Sequence, residues 1–272
     1  MATALLPAAA PFVLPYEGTE PHFSSEPRLS GIGSCVVGKV RIGARASLAA
    51  GSVIRADGHI VRIGDDFHLG EISTVHIAHK IYPTIIGDRV TVGRNAVVHA
   101  CVVGDNCVIE DDVVVLDGSS IQAGVLIEAG STVFPRSTLM TGLIYGGNPA
   151  KPARDLGCGE RADREARLHA ATTAGLFSST CKRAGAGHDF QDDVYIAKTA
   201  WLTGRIEIGR RSSVFFGCRL DAGEASIVIG GNTNIQDNCR IRCGAGDVII
   251  GPNTTIGHNA QISACNIGQR TL

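Results

Sequence analysis

Aromatic residues are scarce in this 272-residue chain, at 5% with a single Trp, and Met occurs only twice. A core built from large rings is thereby excluded. No charge of one sign prevails: 25 Lys and Arg face 26 Asp and Glu, for a formal net charge of −1. A nucleic acid or an anionic membrane surface would meet no basic excess, and neither is expected as a partner. Long apolar runs are absent too, and none approaches the roughly 20 residues of a membrane-spanning helix. The nine cysteines, Cys35, Cys101, Cys107, Cys158, Cys181, Cys218, Cys239, Cys243 and Cys265, are odd in number and form no C-x-x-C pair. That speaks against a disulfide frame or a zinc knuckle and for small buried thiols in a reducing cytosol, so a cytoplasmic location is expected. Met1–Pro15 has no basic segment, and Pro7, Pro11 and Pro15 interrupt it, which suits a disordered arm better than a signal peptide. No glycine motif of the Walker or Rossmann type stands in a suitable context.

What the chain does have is glycine, 34 residues of it, and an aliphatic residue at every sixth position. The ladder runs Val36, Ile42, Leu48, Ile54, then Ile63, Leu69, Val75, then Ile86, Val92, Val98, and after a five-residue step from Val103 through Ile109, Val115, Ile121, Ile127 and Val133 to Leu139. Gly or an acid often follows, as in Ile42-Gly43, Ile86-Gly87 and Ile109-Glu110. A period of six fits neither an amphipathic helix nor simple strand alternation. It fits short flat strands joined by corners, three to a coil, each side pointing one aliphatic residue inward, with the coils burying their faces on one another. The expected fold is therefore all-β: a left-handed parallel β-helix, or hexapeptide-repeat solenoid, with all of these aliphatics in its core.

The ladder then restarts at Ile196 and continues to Ile267. Ile42 and Ile208 are 166 positions apart, as are Val75 and Ile241, and 164 positions separate Ile86 from Ile250 and Val103 from Ile267. The insertions fall at matching places, which implies two tandem copies. The expected organisation is a disordered arm over 1–29, a first β-helix over 30–156, a helix and linker over 157–189, and a second β-helix over 190–272. Gly159–Ala171, rich in Glu, Arg and Ala, reads as a surface helix with Glu160–Arg167 as a solvated face, and Ala184–Gly187 as a loose connection. The second copy has no counterpart of Ile109–Arg154 and is expected to be truncated, or capped by a partner.

Local motifs resemble the γ-carbonic anhydrase family. In the second half they are Asp193-Val194-Tyr195-Ile196-Ala197, Ile208–Gly217, Thr233–Asn238 and Ile256-Gly257-His258; in the first, Ile54-Arg55-Ala56-Asp57, Val98-His99-Ala100-Cys101 and the closing Gly147-Asn148-Pro149-Ala150-Lys151. The matches span roughly 36–156 and 190–272, whereas the ladder alone is shared with hexapeptide acyltransferases. The resemblance implies trimeric packing, with zinc (iron or cobalt being the alternatives) held between neighbouring β-helices by three histidines. Two come from one β-helix and the middle one, in Gly-His, from its neighbour. An Arg-x-Asp pair and a Gln support the site. Three neutral imidazoles leave zinc an open position and bring the pKa of water down to about 7, which is the chemistry CO₂ hydration needs.

Carried over position by position, neither copy holds a full set. The first-histidine position is His76 in copy one and Arg242 in copy two; the Gly-His position is Arg94 and His258; the third is His99 and Ser263. The support residues divide the same way. Arg55 and Asp57 stand where copy two has Asp221 and Gly223, and Gln236 and Asp237 stand where copy one has Gly70 and Glu71. Two readings follow: a composite site of His76, His99 and His258 at an unlike interface, or two copies decayed independently. The loop His79–Ile85 lacks the carboxylate that members with an acidic loop use as a proton shuttle.

The expected activity is reversible hydration of CO₂ to bicarbonate, with Gln236 orienting the attacking oxygen and Arg55 with Asp57 stiffening the interface. The expected assembly is a homo-oligomer or one with related β-helix subunits. The alternatives are an acyl-CoA-dependent transferase or thioesterase with an interfacial His as general base, and a non-catalytic scaffold subunit. The other histidines read as ordinary: His22 and His188 in flexible segments, His169 on the linker helix, His59 and His68 within the coils.

Overall fold

The computed structural model describes residues 10–172 and 188–272, in two compact units, Met1–Ser178 and Ser179–Leu272. Cys181 and the Ala184–Gly187 stretch lie outside the described residues. Each unit is a parallel β-solenoid of hexapeptide-repeat type, whose strands pair with the coils above and below rather than with their neighbours in sequence.

In the first unit the strands stack on three faces. One carries Cys35–Val37, Val53–Arg55, Thr74–His76, Val97–His99, Val114–Val115 and Thr132–Val133 in parallel register. A second carries Val40–Ile42, Val61–Ile63, Thr84–Ile86, Val102–Val103, Ser120–Ile121 and Thr138–Leu139. The third begins at Leu29–Ser30 and runs through Ser47–Leu48, His68–Leu69, Thr91–Val92, Val108–Ile109 and Leu126–Ile127 to Leu143–Gly146. The long strands Cys35–Ile42 and Val53–Ile63 serve two faces, bending at a register shift between Gly38 and Val40. Every aliphatic of the first ladder is buried, from Val36 to Leu139. Cys101 and Cys107 are buried thiols whose burial pushes them up to about 12 and about 11, so they pack as small apolar groups and do not ionise near neutrality.

At one corner of the coils the residue after the inward aliphatic is glycine, for a reason the coils supply. In Ile63-Gly64-Asp65, Ile86-Gly87-Asp88 and Val103-Gly104-Asp105, the Asp of each coil caps the corner of the coil before it. Asp65 Oδ1 accepts from Ala44 N at 2.8 Å, Asp88 Oδ1 from Asp65 N at 2.8 Å, and Asp105 Oδ1 from Asp88 N at 2.9 Å. A Cβ on Gly87 would overlap the Asp105 carboxylate, so glycine and the capping acid come as a pair.

The antiparallel strand Lys151–Asp155 turns back on Leu143–Gly146 and covers the last coil of the first unit. The helix Glu160–Ala171 then packs along the third face, with Leu168 against Val108, Leu126 and Ile144. Residues 160–167 stay partly or fully exposed, as expected of a solvated face, but two of their arginines also serve the solenoid. Arg164 and Arg167 both reach the 3%-exposed Glu110, at 2.8 and 2.5 Å, because a carboxylate that the helix buries must be paired. Breaking one side of such a pair leaves an uncompensated charge. The double variant Arg164→Gln, Arg167→Gln is expected to lose about 3 kcal/mol in urea unfolding, and Glu110→Gln in the same background to recover most of it.

The N-terminal arm also differs from expectation. From Phe12 onward it adds strands to the solenoid: Phe12–Leu14 on Cys35–Val37, His22–Phe23 on Arg41–Ile42, and Leu29–Ser30 on Ser47–Leu48. Pro11 and Pro15 flank the first of these at an outer edge, where the missing N–H breaks no ladder.

The second unit repeats these bounds. Trp201–Ile208 and Arg219–Ile229 are its two long strands, with a register shift between Thr203 and Arg205, and they lie 166 positions after Cys35–Ile42 and Val53–Ile63. Arg240–Arg242, Val248–Ile250, Thr255–Ile256 and Gln261–Ser263 follow, each at the spacing of the sequence ladder. Among the described residues no helix is long and apolar enough to cross a membrane.

Candidate metal centre

On the first face of the first unit, register alone stacks three functional side chains. His76 pairs with His99, and Arg55 follows Ile54, which pairs with Val75, so Arg55, His76 and His99 occupy one outward row on consecutive coils. The row continues into a hydrogen-bonded chain. Arg55 Nη1 donates to Asp57 Oδ2, and the other oxygen, Asp57 Oδ1, lies 2.8 Å from His76 Nε2. His76 Nδ1 lies 3.1 Å from His99 Nε2, and His99 Nδ1 lies 2.5 Å from Asp117 Oδ1. Burial would raise the Asp57 carboxyl, but the His76 hydrogen bond and the Arg55 guanidinium outweigh it and hold the group at about 2. It is a carboxylate at any physiological pH.

Where Asp57 accepts from His76 Nε2 and Asp117 from His99 Nδ1, the inner nitrogens His76 Nδ1 and His99 Nε2 face one another at 3.1 Å and can share either a proton or a metal ion. Nitrogens bound at about 2.0 Å to one tetrahedral zinc stand roughly 3.3 Å apart, so the pair already has the right bite. A carboxylate on the far nitrogen of each imidazole is the usual way to orient and strengthen a metal-binding histidine. The donor set thus fits zinc.

In the second unit, the corresponding row is Thr203, Asp221, Arg242 and Ser263, which offers no pair of ligand nitrogens. What this unit holds instead is His258, whose Nδ1 lies 3.2 Å from Oδ2 of the fully buried Asp237. Asp237 Oδ1 also accepts from Phe216 N at 3.1 Å, which fixes the carboxylate. Gln236 sits one coil from Gly257, its backbone N–H donating to Ile256 O at 2.9 Å. Arg94, at the Gly-His position of the first unit, is an exposed side chain 4.0 Å from Asp111.

The structure therefore gathers Arg55, Asp57, His76 and His99 in the first unit, and Gln236, Asp237 and His258 in the second. Sequence reading missed Asp117. The signal was its spacing: Asp57, His76, His99 and Asp117 follow one another by 19, 23 and 18 residues, about one coil each. It also missed the contact of His68 with the helix. The two rings of His68 and His169 lie 4.3 Å apart, His68 Nε2 meets Thr172 Oγ1 at 3.0 Å, and His169 Nε2 meets Thr91 Oγ1 at 3.0 Å.

A parallel solenoid of hexapeptide repeats, with histidines held by carboxylates on its outer faces, defines the class: a hexapeptide-repeat β-helix protein with metal-binding potential. No protein-family profile matches the chain. It is 37% identical over 126 residues to gamma carbonic anhydrase 1, mitochondrial, of Arabidopsis thaliana, covering 44% of this chain and 46% of that protein. It is 38% identical over 135 residues to protein YrdA of Escherichia coli, covering 47% of this chain and 73% of YrdA. A solved hexapeptide transferase family protein from Anaplasma phagocytophilum superposes with a TM-score of 0.53 at 26% identity, covering 58% of this chain and 93% of that one. The chain spans about half the length of the plant carbonic anhydrases it matches, at 45–46% of each. It belongs to the γ-carbonic anhydrase family of hexapeptide-repeat proteins.

Proposed function

We propose that this protein catalyses the reversible hydration of CO₂ at a composite zinc site, to which one copy supplies His76 and His99 and an unlike copy supplies His258. What supports the reading above all is that each of these histidines has a carboxylate beside its ring: Asp57 on His76, Asp117 on His99, and Asp237 at 3.2 Å from His258. Where copy two has lost the first histidine it has also lost Asp57, Gly223 standing in its place, and where copy one has lost Gly-His it has Glu71 in place of Asp237. At the first-histidine position, ligand and orienting acid are thus absent together.

When bound, zinc supplies a Lewis acid that lowers the pKa of water to about 7. The chain's own residues do the rest. Asp57 and Asp117 keep protons on the outer nitrogens of His76 and His99, so the inner nitrogens stay available as ligands. Asp237 does the same for His258. Gln236, beside Asp237, orients the attacking oxygen through its side-chain amide. Arg55 neutralises Asp57 and stiffens the contact between β-helices, which pack as a trimer with like or related subunits. We also infer that the two units arose by duplication of one solenoid, since their strand bounds repeat at the 166 and 164 spacings of the ladder. A reducing compartment such as the cytoplasm suits the free thiols.

The test is metal content by inductively coupled plasma mass spectrometry, with stopped-flow CO₂ hydration beside it. Stoichiometric zinc and a hydration rate lost on chelation are expected. The fold of the transferase neighbour favours one competing reading, an acyl-CoA-dependent enzyme. Protein that binds coenzyme A and retains no zinc would decide for it.

A further inference from the structure

The second face of the first unit carries a concavity of about 800 Å³ on its outer side, well away in sequence from the histidine row. Its walls are Thr19, Glu20, His22 and Ser24 of the added segment, and the second-face strands and following corners from Lys39 to Gly43 and from Ile60 to Asp65. Three cations face it, Lys39, Arg41 and Arg62, together with His22. Register stacks His22 on Arg41 and Arg41 on Arg62, so two guanidinium groups leave the sheet on adjacent strands about 4.8 Å apart.

Like charges opposite one another on neighbouring strands are unfavourable, and proteins ordinarily intersperse an acid. Here none intervenes. Eight arginines, Arg28, Arg45, Arg55, Arg94, Arg154, Arg161, Arg164 and Arg167, have an acid within 4.0 Å, while others among the described residues, such as Arg136 and Arg240, do not. Among the described residues Lys39, Arg41 and Arg62 have no such partner. Of the two acids in the lining, Asp65 is engaged elsewhere: it accepts from Ala44 N at 2.8 Å and lies 3.6 Å from Arg45. Only Glu20 then opposes three cations. The solenoid does not require this charge, because the matching row of the second unit reads Asp189, Glu207 and Val228.

We infer that this concavity is a binding site for a phosphate-bearing small molecule. Two stacked guanidinium forks can each grip two oxygens of one phosphate, a geometry to which lysine alone is unsuited, and Lys39 adds a point charge for a second phosphate. The volume beyond the cations leaves room for an organic group such as a nucleoside. Carbonate and CO₂ are too small to use it, so the site is separate from the proposed metal chemistry and stands or falls without it.

Isothermal titration calorimetry on the full chain tests this, with inorganic pyrophosphate and a nucleoside diphosphate as separate probes. Saturable one-to-one binding is expected, weakened at least tenfold in Arg41→Gln and in Arg62→Gln, and unchanged in Arg136→Gln, an exposed arginine outside the lining. Tighter binding of the nucleoside diphosphate would assign the remaining volume to its organic part, and equal binding would assign the site to the phosphates alone; both support the proposal. Absence of saturable binding to either probe in the wild type, or equal weakening in Arg136→Gln, overturns it. So does a double variant, Arg41→Gln with Arg62→Gln, that changes oligomeric mass in light scattering while keeping the pyrophosphate heat, for the groove would then be a protein-docking face. Circular dichroism on each variant guards against misfolding, which charge-to-amide changes at exposed positions are not expected to cause.

Discussion

Zinc is expected to leave the protein when His258 becomes alanine, even though His76 and His99 remain. Apparent zinc affinities in four-ligand peptide sites correspond to about 10–16 kcal/mol, or roughly 3 kcal/mol per ligand, so losing one should weaken binding on the order of 10²-fold and bring hydration down with it. His76→Ala and His99→Ala should match it, because a site that needs all three has no dispensable member. Asp117→Asn should fall between, weakening zinc by about tenfold to a hundredfold, since it leaves the ligand in place and removes only what orients it. His59→Ala is the control and should keep its zinc. Competition with a chromophoric chelator reads all five proteins on one scale. The decisive comparison is His258 with the other two histidines: zinc retained after His258→Ala, with zinc lost after His76→Ala, would mean that copy one binds metal alone.

The second large effect is on stability against pH. Burial between the third face and the helix, with the His169 ring alongside, pushes His68 down to about 3, and burial lowers His169 as well. An unfolded chain takes up the His68 proton near pH 6.5, whereas the folded protein resists until about 3. Unfolding therefore gains protons between those limits. The stability contribution is complete above pH 6.5 and is lost as pH falls toward 3, by about 2 kcal/mol at pH 5 and about 4 kcal/mol at pH 3. Asp57, held at about 2 against a usual value of 3.8, acts the same way in a lower window and leaves the range from 6.5 to 4 to the histidines. Urea unfolding at pH 7, 6 and 5 should show this fall, and His68→Asn, which takes the residue of the matching Asn234, should flatten it. An identical pH slope in the variant would mean that some other group carries the dependence. Such a result would also say that the ring contact with His169 does not hold the helix down.

The period-six ladder made the architecture legible, because a solenoid repeats the same burial decision at every corner: Ile86 faces inward, Gly87 yields to Asp105, and the next coil does likewise. His76, His99 and His258 were legible only through their resemblance to a family, since an outward histidine on a strand has no periodic signature of its own. Three features stayed hidden for physical reasons. Phe12–Leu14 lacks a repeat, and only the unpaired edge of Cys35–Val37 gives it a place. Glu110 looks like any corner acid until a helix some 50 residues later covers it. Asp117 lies one coil beyond His99, and a neighbour in space one coil away is distant along the chain. Reading the sequence as a stack of coils rather than a string would have exposed both acids.

The pairing of His76 with His99 across one rung means that their separation is a lattice constant of the backbone, fixed by hydrogen bonds along the solenoid axis rather than by side-chain packing around the site. Any outward position offers the same ruler. A two-histidine bite could be moved up or down the prism one coil at a time, each histidine taking its flanking aspartate with it, and the distance between ligands would travel unchanged.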